Sequence, residues 1–138
     1  MAVWQAMRHR IGRRGAFLLF LTELDIFYAC LLAWPTPATV GNATNRWFVT
    51  LLPLDAWAAI WAAVGAVCLV FAFSRYDRPA FGAAILIKAL WTGLSLLGVW
   101  FADVPISTPA IFLSLAGAVW VISGWREPGL DREDADHE

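Results

Sequence analysis

Three ionisable side chains lie inside long apolar runs of this chain: Glu23 and Asp25 in the first run, Lys88 in the third. An acid and a base at such positions can relay protons or ions across a bilayer, or can pair and fix which helices meet. Their depths agree, since Glu23 lies eight residues beyond Gly15 and Lys88 eight beyond Ala80, the residues at which the two runs begin. Residues two apart on an α-helix point about 200° apart, so Glu23 and Asp25 face nearly opposite ways. Asp25 shares a polar stripe with Thr22 and Tyr28 at i, i+3 spacing, and Lys88 shares one with Thr92 and Ser95 at i, i+4, i+7. The two stripes are expected to face each other. Glu23 is left to bend toward Lys88 from the flank, to pair with another subunit, or to stay protonated.

Insertion energetics make these residues consequential. A mid-helix acid or base costs about 2.5–3.5 kcal/mol, and each Leu, Ile, Phe or Val offsets about 0.3–0.6 kcal/mol. Ten such apolar residues stand against two acids in the first run, which is therefore near break-even by itself. It needs a partner, a proton or a wet cavity. A Lys–carboxylate pair that fixes helix pairing is preferred over conduction or gating, because one pair does not make a pathway.

Four apolar runs, about 15–34, 54–73, 80–101 and 108–125, must position these groups. All but the last reach the ~20 residues that an α-helix needs to cross a hydrocarbon core of about 30 Å. All seven prolines fall in connections or at run ends, and no charge interrupts Trp57 to Phe73. The predicted fold is an all-α polytopic membrane protein, a bundle of four transmembrane helices in one domain. A basic leader at 1–14 precedes it, and an acidic disordered tail at 127–138 follows. Composition agrees: 60% of the 138 residues are hydrophobic and 15% charged, with mean hydropathy +0.63. Soluble chains average about 45–50% apolar and 25% charged.

Orientation follows from the arginines. Arg8, Arg10, Arg13 and Arg14 precede the first run, Arg75 and Arg78 separate the second from the third, and Arg126 follows the fourth. The other two connections hold only Arg46 and Asp103, so both termini are expected to be cytoplasmic, in a bacterial inner membrane. Glu23 and Asp25 argue against reading the first run as a cleaved signal peptide. Cys30 and Cys68 fall at different depths, too far apart for a disulfide, and are expected to be free, inert thiols.

The connection at 35–53 is predicted as turns at Val40, Gly41, Asn42 and Asn45, followed by an apolar strip, Arg46–Leu52, along the outer interface. Asp55 suits a helix cap or first turn. Trp34, Trp47, Trp57 and Trp100 map to the outer boundary and Trp4 and Trp125 to the inner one, leaving Trp61, Trp91 and Trp120 as deeper packing residues. Small-residue seams run along Ala59, Ala62, Ala63 and Ala66, and along Ala110, Ser114, Gly117 and Ala118. A faint repeat relates Arg14-Gly15-Ala16-Phe17 to Arg78-Pro79-Ala80-Phe81, as two helical hairpins would.

His9 and His137 have no metal-spaced companions, and no phosphate loop, nucleophile elbow or zinc-protease motif occurs. No enzyme activity, cofactor, metal, nucleic acid or small-molecule substrate is expected. The partners expected are the lipid bilayer and further copies of the chain. The Arg-rich leader, the four runs, Ile87-Lys88-Ala89-Leu90-Trp91 and the closing Val121-Ile122-Ser123-Gly124-Trp125-Arg126-Glu127-Pro128 resemble small uncharacterised membrane proteins of actinobacteria and their bacteriophages. Four-span phage proteins of this kind, encoded beside lysis enzymes, are regarded as holins. The resemblance implies a non-enzymatic protein that acts by helix packing or oligomerisation, with lesion formation as its sharpest form. The residues also admit a small ion or proton carrier using Glu23, Asp25 and Lys88, and an accessory subunit of a larger membrane complex.

Overall fold

Proline and asparagine punctuate the chain into helices of very different length. A computed structural model describes residues 13–74 and 76–125. The leader through residue 12, Arg75, and the tail from 126 lie outside the described residues, and with them most of the expected basic leader and all of the expected disordered tail. Among the described residues the chain is all-helical: α1 (Arg13–Ala33), α2 (Pro37–Gly41), α3 (Ala43–Leu51), α4 (Leu54–Phe71), α5 (Arg78–Phe101) and α6 (Ser107–Ser123). Helices α1, α4 and α5 are long and apolar enough to cross a membrane, whereas α6 has 17 residues and is shorter. The bounds lie within two residues of those expected. Pro37, Pro79 and Pro109 sit in first turns, where a missing N–H costs nothing.

The long helices form two hairpins, α1 with α4 and α5 with α6, joined mainly along α4 and α5. One end of the assembly, the base, holds the start of α1 and the α4–α5 connection. The opposite end is capped by α2 and α3. Helix α1 buries Leu18, Leu21, Asp25, Ala29 and Leu32, which recur at helical spacing on one face. Toward the base, Leu18, Leu21, Cys68, Ala80, Phe81, Ala84 and Val119 form one core. Toward the cap, Phe48, Trp57, Trp61, Ile87 and Trp91 anchor a second.

Residues 35–53 depart from expectation. They form α2 and α3 where turns were expected at Val40, Gly41 and Asn45, and Arg46, Val49, Thr50, Leu51 and Leu52 remain exposed on α3 and its end. Thr36 Oγ1 accepts from Thr39 N at 3.2 Å to start α2, and Asn42 Oδ1 accepts from Thr44 N at 3.0 Å to start α3. Helix α3 then turns Phe48 inward, fully buried and stacked on Trp91 with ring centroids 3.7 Å apart. Trp47 Nε1 donates to Leu94 O at 2.9 Å, and Trp57 Nε1 donates to Phe48 O at 3.1 Å. Trp57 is thus a core residue at the capped end, 3% exposed, while Trp120, expected as a packing residue, is 69% exposed. The Trp57 indole can be buried because the Phe48 carbonyl, beyond its own helix, accepts its N–H.

Two glycines mark close approaches. A Cβ on Gly65 would lie 3.0 Å from the Ile26 side chain, where α1 crosses α4. One on Gly98 would lie 2.6 Å from Val104 and 2.8 Å from Trp47. By contrast, Ala59, Ala63, Ala66, Ala110, Ser114, Gly117 and Ala118 are exposed, so most of the two small-residue seams face outward.

Candidate functional site

The depth match between α1 and α5 becomes a contact in three dimensions. Lys88 Nζ donates to Asp25 Oδ1 at 2.7 Å, with both side chains 0% exposed. The ammonium also lies 5.3 Å from the centroid of the Trp61 ring, a cation–π contact. Thr92 Oγ1 donates back to Lys88 O at 2.8 Å, which leaves α5 intact around the lysine. Ser95 is buried one turn further on.

The rest of the expected network divides. Thr22 turns to the side, donating to Leu18 O at 2.9 Å and Gly65 O at 3.2 Å, so it joins α1 to α4 and not to the lysine stripe. Tyr28 meets three rings edge-on, with centroids at 4.8 Å for Trp61, 5.5 Å for Trp91 and 5.7 Å for Phe112. Glu23 is exposed, on the opposite side of α1 from the pair.

Apolar packing encloses the ion pair along the helix axes. On the capped side stands the cluster of Tyr28, Trp61, Trp91, Phe48 and Phe112. On the base side stands the core around Leu21, Cys68 and Ala84. A cavity of about 410 Å³ opens between α1, α2, α3 and α6, lined by Tyr28, Leu32, Thr39, Asn45, Thr108 and Phe112 among others. Neither Asp25 nor Lys88 lines it. Among the described residues four buried polar atoms near this level have no hydrogen-bond partner: Asp25 Oδ2, Trp61 Nε1, Trp91 Nε1 and Ser95 Oγ.

No protein-family model, curated protein or solved structure matches the chain. Its chemistry must therefore be read from its own geometry.

A second ion pair had no counterpart in the sequence reading. At the base, Arg14 Nε lies 2.8 Å from Asp77 Oδ2 while Nη2 donates to Asp77 Oδ1 at 2.9 Å. The guanidinium stands 5.1 Å from the Phe81 centroid, and Nη1 reaches Trp125 O at 3.4 Å. Arg14 thus ties the start of α1 to the α4–α5 connection and to the end of α6. The signal for it was present: Arg14 precedes Asp25 by eleven residues, and Asp77 precedes Lys88 by eleven. Eleven residues are about three turns, so both members of each set share a face. The polarity is reversed between the sets. Two parallel helices bearing base-then-acid and acid-then-base at equal spacing pair in one register. A slip of α1 by that spacing would oppose like charges.

Proposed function

We propose that the chain is an integral protein of the bacterial inner membrane, a bundle of four transmembrane helices with both termini cytoplasmic. It acts without enzymatic chemistry, by packing and oligomerising its helices, and its holin-like form opens a lesion once enough copies accumulate. The observation that carries this reading is the enclosure of Asp25 and Lys88 between two apolar cores. A pair fully desolvated and bonded to itself serves to choose helix partners.

Other features support the membrane placement. Arg13, Arg14 and Arg78 gather at the base, whereas Arg46 and Asp103 belong to the capped side, in line with a cytoplasmic base. Helix α6 spans about 25 Å at 1.5 Å per residue, and local thinning of the bilayer accommodates the shortfall at modest cost. The exposed surface is rich in Phe27, Val70, Leu86, Phe101, Ile111, Leu113 and Trp120, as lipid contact requires.

The test is the membrane potential of bacteria expressing the chain from an inducible promoter, followed by dye fluorescence beside its abundance in the membrane fraction. Abrupt depolarisation above a threshold abundance is expected. Abundant inserted protein with an unchanged potential would reject lesion formation and favour an accessory role.

One observation favours a second reading, a small proton or ion carrier. Asp25 Oδ2, in the pair itself, and Ser95 Oγ, two turns along α5 from Lys88, hold unused hydrogen-bonding capacity among the described residues. A carrier would lose activity in Asp25→Asn or Lys88→Met while still inserting at normal abundance.

A further inference from the structure

Glu23 is the central residue of α1, ten residues from each end of Arg13–Ala33, and it is displayed on the outside of the bundle. It takes part in no hydrogen bond or ion pair among the described residues. In the membrane reading proposed above, its carboxyl faces hydrocarbon at mid-depth. Acids inside transmembrane helices almost always face a bundle interior or a wet cavity, or pair with one another.

The surroundings of Glu23 have the form of a seam. Ala16, Phe20, Glu23, Phe27, Cys30 and Trp34 are all exposed and recur at alternating spacings of four and three. At 100° per residue they lie within about 40° of one line, and Asp25 lies on the opposite side of the helix. This is the a/d stripe of a left-handed helix pair with one polar position at its centre. Helix α5 provides the internal contrast. Its outer stripe of Leu86, Leu90, Gly93, Leu97 and Trp100 has the same spacing and no polar side chain, which is what lipid alone requires.

We propose that α1 packs along this stripe against α1 of a second copy, with the two Glu23 carboxyls, at least one of them protonated, hydrogen-bonded to each other across a two-fold axis. The inference rests on the reading that the protein acts by helix packing. Self-complementarity selects the occupant. Copies inserted with the same topology present α1 in parallel, so a symmetric contact brings each residue opposite its equivalent. A protonated carboxyl is both donor and acceptor, and its own copy satisfies both roles. Arg13, Arg14 and Arg78 stand at the base ends of their helices, and the one basic residue inside the apolar runs, Lys88, is already committed to Asp25.

The same symmetry supplies the probe. Cys30 lies on the stripe one heptad beyond Glu23 and is exposed, whereas Cys68 is buried. Across the seam two Cys30 residues come within the ~7 Å Cα separation that a disulfide needs. Membranes from cells expressing the full chain are treated with copper–phenanthroline and the cross-linked dimer is quantified. The wild type is expected to form a dimer that Cys30→Ser abolishes. Glu23→Gln, which keeps a donor and an acceptor, should retain it. Glu23→Leu should weaken association about tenfold at equal membrane abundance, the weight of one interhelical hydrogen-bonded contact. A cysteine moved to the α5 stripe, Leu86→Cys in the Cys30→Ser background, sets the rate of random encounters.

Wild-type cross-linking no faster than that control would overturn the proposal. So would undiminished cross-linking in Glu23→Leu, or a Cys30 adduct formed only with another protein. The potential, read in the same cells, separates the two claims: a dimer without depolarisation refutes the lesion and leaves the seam standing, and depolarisation without a dimer does the reverse.

Discussion

Lys88 and Asp25 are valuable to each other and costly apart. Removing one partner of a fully buried pair leaves an uncompensated charge, at about 3–5 kcal/mol, while replacing both by neutral groups is often harmless. Lys88→Met alone is therefore expected to lower the thermal midpoint in detergent and the abundance in the membrane fraction. Asp25→Asn combined with Lys88→Met should recover most of both. A double variant as impaired as the single one would show that the charges themselves, and not their balance, are required. Helical phase made Asp25 and Lys88 legible in the sequence, and it separated Glu23 from them. It misplaced Thr22, because successive i, i+3 steps each lag by about 60°, so Thr22 and Tyr28 lie about 120° apart and meet different neighbours. Thr22 reaches α4 and Tyr28 reaches the aromatic cluster.

Among the elements, the cap is where glycine decides the packing. Gly98 lets Trp47 and Val104 approach the α5 backbone, and a methyl group there meets both below contact distance. Gly98→Ala should cost about 1–3 kcal/mol by overpacking. The first consequence is a looser α3, seen as faster tryptic cleavage after the exposed Arg46. Gly93→Ala on the same helix meets nothing within 4 Å and should leave cleavage unchanged. Equal acceleration in both would place the effect in α5 itself and not in the cap. The long helices were legible because their apolar runs end at prolines. The cap was not, since Asn42 punctuates equally as a turn residue and as a helix cap, and only the Phe48–Trp91 stack shows which side of α3 turns inward.

Across the whole molecule, two ion pairs of opposite polarity hold α1 on α5 in one register, one at the base and one about 16 Å along the helices. Arg14 is half-buried and Asp77 buried, with side chains 21% and 13% exposed, so solvent screens their pair more than the fully enclosed one at the centre. Arg14→Gln should shift the thermal midpoint only slightly, and the exchange Arg14→Asp with Asp77→Arg should restore part of the loss. A shift as large as that of Lys88→Met would mean that the base, not the centre, holds the hairpins together. The overall plan of hairpins could be read from the lengths of the apolar runs and the short connections between them. Their docking could not, because it depends on which side of each helix lies buried, and among the described residues the small-residue seams turned out to face outward.

The decisive measurement is the membrane potential of cells expressing either the wild type or the Asp25→Asn, Lys88→Met double variant, compared at matched abundance in the membrane fraction. If the buried pair only selects helix partners, both proteins depolarise the membrane at the same threshold. Normal insertion of the double variant with loss of depolarisation would contradict that account and make the pair part of a conducting path.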